Sequence, residues 1–228
     1  MSTSDESIKG HRGRLRERFL KGGLVAVAEY EMLELVLFSA KPRGDVKPLA
    51  KALIKKFGSF AAVVKASTPA LLAIDGVGDA VISALRTVEA SAELLLKQEI
   101  EARPVIQSWT ALLDYCRLTM AEKTIEEFRV IFLNRANMLI ADEVQQRGTV
   151  DHTPIYPREI IKRTLELGAT AIILVHNHPS GNPSPSKDDI DMTQLIIQAA
   201  KPFNIRVHDH VIVARKGHYS FKSQGLIS

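Results

Sequence analysis

Apolar residues recur at helical spacing through the first hundred positions and then change period. AEYEMLELVLFSA and VKPLAKALIKKFGSF each place apolar side chains three and four apart, and the second run stops at Gly58. STPALLAI offers Ser67 or Thr68 as an N-cap, with Pro69 at the first helical position. DGVGD interrupts the helical pattern, and AVISALRTVEASAELLLKQEIEA resumes it for about six turns. Pro104 ends that run. Beyond it helical and extended patterns alternate. SWTALLDYCRLTM reads as a helix, and FRVIFLN and NMLIADEVQ read as two strands joined through NRAN. PREIIKRTLELG is helical, with Pro157 near its start and Gly168 as its C-cap. ATAIILVH is nearly all apolar, which predicts a strand covered on both faces. SKDDIDMTQLIIQAAK places Met192, Leu195, Ile196 and Ala199 on one helical face, and IRVHDHVIVA and HYSFKSQGLI supply further strand. The pattern predicts an all-helical domain over residues 1–103 and an α/β domain with a mixed sheet over 104–228. There is no internal repeat and no low-complexity tract.

Composition narrows the function classes. Apolar residues make up 46% of the 228 positions and charged residues 25%, the balance of a globular chain. No apolar run is long enough to span a bilayer, so no membrane partner is expected. MSTSDESIKGHRGR lacks the apolar core of a secretory signal, and together with a single cysteine, Cys116, this points to the cytoplasm. One cysteine also excludes a thiolate-rich zinc site. The net charge is +4, and most of the excess lies before Pro104. There Arg12, Arg14, Arg16, Arg18 and Lys21 read first as a solvated helix face. They also permit contact with DNA.

The candidate chemistry is concentrated in HNHPSGNPSPSKDD, which directly follows the apolar strand. His176 and His178 are two apart at a strand end, so their side chains leave the same face. Ser186 is placed to cap the next helix, which puts Asp189 at its third position. If the intervening Pro- and Gly-rich loop folds back, Asp189 completes three ligands with the histidines. Two imidazoles and one carboxylate with an open fourth position suit a catalytic zinc, and the same set also suits non-haem iron. Zinc is the expectation. A water on such an ion needs a general base within reach.

The run matches the His-x-His-Pro-x6-Ser-x2-Asp signature and resembles the JAMM (MPN+) metalloproteases. The fuller GTVDHTPIYPREIIKRTLELGATAIILVHNHPSGNPSPSKDD is similar to the RadC family within that group. The resemblance extends over nearly the whole chain. It implies a cytidine-deaminase-like MPN/JAB1 domain behind an all-helical domain with a helix-hairpin-helix-like element. It implies zinc on His176, His178 and Asp189, with Ser186 hydrogen-bonded to the oxyanion or the water. The catalytic glutamate, which in RadC-like proteins precedes a Gly-Thr pair, falls on Glu143 in ADEVQQRGT. Asp142 faces the other way by strand alternation, and Glu159 and Glu166 are weaker rivals. The implied activity is zinc-dependent hydrolysis of a peptide or isopeptide bond, with a peptide or protein as substrate.

Other residues carry less. His208 and His210 in VHDH read as core histidines or as supports of the ligands. His11, His152 and His218 have no evident partners, and Cys116 reads as a small buried side chain. The letters HNH are no evidence of an HNH nuclease, whose three residues are dispersed along the chain. LLAIDGVGDAVISAL resembles a helix-hairpin-helix, with Gly76, Val77 and Gly78 at the turn that would meet a DNA phosphate. Asp75 and Asp79 flank that turn and would repel a phosphate unless Arg86 or the basic N-terminus offsets them. The alternative function is accordingly a DNA repair or DNA-processing accessory protein, which binds DNA through the helical domain.

Overall fold

The computed structural model describes residues 3–148 and 155–227. Six helices come first: α1 (Thr3–Gly22), α2 (Glu29–Ala40), α3 (Lys47–Phe57), α4 (Phe60–Lys65), α5 (Thr68–Leu72) and α6 (Asp79–Glu101). Their buried stripes supply one core, in which Leu33, Leu37, Leu53, Leu71 and Leu85 have no exposed surface. Each such side chain contributes about 1.5–3 kcal/mol by leaving water. Gly58, at φ +97°, ends α3 in a conformation that a residue with a Cβ rarely adopts. Ser59 caps α4 and Ser67 caps α5, each accepting a backbone N–H three residues on.

The basic run in α1 is not a uniformly solvated face. Arg12 is buried, and its guanidinium donates to the carbonyls of Lys41 (2.8 Å), Pro42 (3.1 Å) and Gly44 (2.7 Å) while lying over the Phe38 ring. It closes the α2–α3 connection in place of a hydrophobic side chain. Arg18 pairs with Glu31.

The second set comprises α7 (Trp109–Met120), β1 (Glu127–Leu133), β2 (Leu139–Arg147), α8 (Pro157–Glu166), β3 (Ala171–Asn177), α9 (Lys187–Ala200), β4 (Arg206–Ala214) and β5 (Gly217–Ser220). The strands form one mixed sheet in the order β2-β1-β3-β4-β5, parallel only between β3 and β4. Strand alternation sends Ile131, Ile173, Val175 and Val211 toward Leu112, Cys116 and Met120 of α7. The other face carries Phe128, Val130, Ile172, Leu174 and Ile212 against Ile160 of α8 and Ile196 of α9. All of β3 is therefore buried, as its apolar run predicts. Residues 217–226 are strand only to Ser220, where the buried Asp209 takes the Ser220 hydroxyl and the Lys222 N–H and turns the chain. On α9, Ile196 and Ala200 are buried, but Leu195 stays exposed beside the site.

Contacts divide the chain into two compact units, Met1–Ala92 and Glu93–Ser228. The division falls inside α6, ahead of Pro104. The last turns of α6 belong to the second unit because Ile100 is buried in the α7 core. Among the described residues no helix is long and apolar enough to cross a membrane.

Candidate metal centre

The site sits where β3 ends. His176 is the next-to-last residue of the strand and is almost fully buried, and His178 is held just beyond the strand by its N–H bond to the Val213 carbonyl (3.0 Å). The loop then turns at Gly181, at φ +84°, which packs against the Arg215 guanidinium. This turn returns the chain to the start of α9. There Ser186 and Asp189 cap each other. The Ser186 Oγ accepts the Asp189 N–H (3.1 Å), while Asp189 Oδ2 accepts both the Ser186 N–H and its hydroxyl (2.7 Å each).

This loop closure brings His176, His178 and Asp189 together with Glu126, their ligand atoms all within 4.8 Å of one another. His176 Nε2 lies 3.0 Å from His178 Nε2 and 3.1 Å from Asp189 Oδ1, and His178 Nε2 lies 3.5 Å from Asp189 Oδ2. Donors bound to a tetrahedral zinc at about 2.0–2.1 Å stand about 3.3 Å apart, so these three residues fit that ion.

Hydrogen bonds place the Nδ1 protons of the two rings. Thr193 donates its one hydroxyl proton to the Asp189 carbonyl (2.6 Å), so it accepts from His210 Nδ1–H (2.6 Å). Burial holds His210 neutral, its pKa well below the usual histidine range. Its Nε2 is therefore an acceptor, and His176 Nδ1–H is the donor to it (2.7 Å). His178 Nδ1–H donates to the Asn182 carbonyl (2.9 Å). Both Nε2 atoms are turned to one point beside two carboxylates, and the hydrogen bond with Asp189 raises the His178 pKa. Burial opposes ionisation of Asp189, but His176, His178 and Ser186 outweigh it and hold its carboxyl far below the usual range. Burial pushes the Glu126 pKa up, although His176 and His178 pull it down. A cleft of about 350 Å³ opens beside the group, walled by Phe128, Ile155, Met192 and Leu195 and rimmed by Asp188 and Asp191.

Three expected ligands thus converge, and the expected base does not. Glu143 lies on the α8 side of the sheet, but it pairs with Val130, four positions further along β1 than Glu126. That is roughly 13 Å back from the site end of the sheet. Both its oxygens accept from Arg163 of α8 (2.6–3.2 Å). Asp142 does face the other way, into Tyr115 and Arg129 under α7. Glu159 and Glu166 pair with Arg158 and Arg163. Glu126 was missed because it lies outside the strand pattern, but register could have found it. β1 runs antiparallel to β3 with Phe128 opposite His176, so the residue two before Phe128 stands level with His178.

The lesser expectations divide. His210 supports His176 directly, whereas His208 donates to Asn137 Oδ1 (2.6 Å) far from the group. His11 bonds to the buried Glu34 (2.8 Å), His218 is exposed, and His152 and Thr149 lie outside the described residues. In the 75–79 turn Gly76 has φ +85°, and the cation beside it is Lys41. Arg86 does not offset Asp75 and Asp79, because the carbonyls of Val64 and Ala66 and the Glu89 carboxylate occupy its guanidinium.

A mixed sheet whose central strand ends in His-x-His, facing a capped carboxylate on the following helix and a glutamate at the head of the neighbouring strand, defines a JAB/MPN-type domain with a candidate metal centre. Residues 106–226 match the family described as the RadC-like JAB domain, and the chain belongs to that family. It is 53% identical over 220 residues to a UPF0758 protein of Ruegeria pomeroyi, covering 96% of this chain and 98% of that one. It is 54% identical over 213 residues to a UPF0758 protein of Rhodobacter capsulatus, covering 93% of this chain and all of that one.

Proposed function

We propose that this protein is a zinc-dependent hydrolase of a peptide or isopeptide bond, with His176, His178 and Asp189 as metal ligands and Glu126 as general base. The observation that carries this reading is the convergence of the two Nε2 atoms with the Asp189 and Glu126 carboxylates, their Nδ1 atoms being engaged elsewhere. Membership of a superfamily that is typically hydrolytic supports it. Zinc held there would supply a Lewis acid and lower the pKa of a bound water. Glu126 is half-buried, and desolvation moves its carboxyl toward neutral pH, where a base that must also return a proton works best. Its Oε1 is 3.9 Å from His176 Nε2, close enough to share a water with the ligands. Ser186 holds Asp189 in place with its hydroxyl, a positioning role in addition to any contact with substrate. The apolar wall of the cleft would take an uncharged side chain beside the scissile bond.

A DNA-binding role for the Gly76 turn has less to stand on, because Arg12 and Arg86 are both occupied by backbone carbonyls. The test is elemental analysis of wild type, Glu126→Gln and His178→Ala, followed by turnover of a peptide library. Wild type and Glu126→Gln should carry near-stoichiometric zinc, and His178→Ala should carry none. Glu126→Gln should lose about 100-fold or more in turnover, while Glu143→Gln stays close to wild type. A well-folded wild type without zinc sinks the reading. Full activity in Glu126→Gln removes the assignment of the base.

A further inference from the structure

The parallel strands β3 and β4 end at the metal centre and begin at a second, separate cavity. It lies at the opposite end of the sheet, roughly 20 Å away along the seven residues of β3. Its walls are the β1–β2 turn, the segment entering β3 and the segment entering β4, which contribute Arg135, Asn137, Thr170, Asn204, Arg206 and His208 around about 330 Å³. Backbone bonds fix all three. Thr170 N–H bonds to the Leu133 carbonyl (2.9 Å), Arg206 N–H to the Thr170 carbonyl (3.0 Å), and Val105 N–H to the Asn137 carbonyl (2.8 Å). Asn137 and Asn204 both sit at left-handed φ, +59° and +54°, which turns the chain sharply at the rim.

The lining has donors and cations and no acid. Among the described residues neither Arg135 nor Arg206 has a carboxylate partner or a side-chain hydrogen bond, in contrast to Arg129 and Arg163 in the same unit. His208 is only 6% exposed, and Asn137 Oδ1 accepts its Nε2–H. That bond leaves the Asn137 amide N–H groups as further donors. We infer that this cavity binds a phosphate group, either as the free oxyanion or carried by a small molecule. Two guanidiniums reaching one space from different segments, supplemented by carboxamide and hydroxyl donors, suit an oxyanion with three or more acceptor oxygens. A simple carboxylate would be satisfied by one guanidinium fork. The pKa of His208 is lowered by burial first and then by Arg206 and Lys222, in keeping with a positive local field that no acid neutralises.

The experiment is a titration of the 15N-labelled full chain with inorganic phosphate, adenosine monophosphate and acetate, followed through backbone amide shifts. Saturable shifts are expected at residues 134–137 and 204–208 with both phosphates, distinct from any shifts at residues 176–189. Arg206→Gln and Arg135→Gln should each weaken binding about tenfold or more, as loss of a charge-assisted contact does. Arg206→Lys should restore part of it, and exposed Arg158→Gln should change nothing. Tighter binding of the nucleotide than of inorganic phosphate identifies a larger phosphorylated ligand, and equal binding identifies the free oxyanion; either supports the inference. Absence of saturable shifts at 204–208, equal binding of acetate, or undiminished binding in the arginine variants while their spectra stay folded overturns it.

Discussion

One proton decides what His176 can do. The chain from the Asp189 carbonyl through Thr193 and His210 places that proton on Nδ1 and leaves Nε2 to face the other ligands. His210→Ala removes the acceptor and frees the ring of His176. The expected outcome is a 10- to 100-fold loss of zinc affinity, roughly, as when a metal ligand loses its hydrogen-bonded support. Competition with a chromophoric chelator measures it, and wild-type affinity in the variant would mean that the strand alone orients the ring. Cys116 illustrates the opposite use of burial. Loss of water, and then the nearby Asp142, push its thiol up to about 12. The unfolded thiol ionises at about 8.5, so the folded state holds the proton more tightly. The resulting stability is complete below about pH 8.5 and declines as pH rises from there toward 12. Urea unfolding at pH 8 and pH 10 should therefore show a smaller alkaline loss in Cys116→Ala than in wild type, and equal losses would count against the buried thiol.

The first turn of α9 joins helix formation to the site. Asp189 closes the capping box through Oδ2 and faces His176 through Oδ1, so the residue that starts the helix is also a candidate ligand. Ser186→Ala should cost about 0.5–2 kcal/mol in thermal or denaturant unfolding. It should also weaken zinc binding, because Asp189 loses the hydroxyl that fixes its rotamer. A stability loss with unchanged zinc affinity would confine Ser186 to capping. This turn was legible in the sequence because its logic is local: a serine, three steps to a carboxylate, and a loop stiffened by prolines. β3 was legible for the same reason, its apolar run requiring cover on both faces. Glu126 was not, since its place depends on pairing β1 against β3, a contact across nearly fifty residues. Glu143 had the right face of the sheet but the wrong strand, and no local pattern distinguishes a base from the partner of an arginine one helix away. Arg12 was read as solvated because nothing near it in the chain announces the three carbonyls of the α2–α3 connection.

The fold class and the order of the two units were plain from the change of period, but the point of division was not. Pro104 marks the end of a helical pattern, whereas packing assigns the last turns of α6 to the second unit through Ile100. All four residues of the metal group lie within that second unit, at the end of β3, the start of α9 and the head of β1. A bound ion therefore stabilises the unit that owns the group, by about 2.7 kcal/mol when free zinc is 100-fold above its dissociation constant. Hydrogen exchange of the full chain, with zinc and after chelation, reads this by segment. Amides of β1, β3, α9 and β4 should exchange faster once the metal is removed, and those of α2, α3 and α4 should keep their rates. An equal change in both sets would show that the two units open as one cooperative body, with α6, which runs through the division, as the element that joins them. No change in either would mean that zinc does not bind the folded chain, and the hydrolase reading would fall with it.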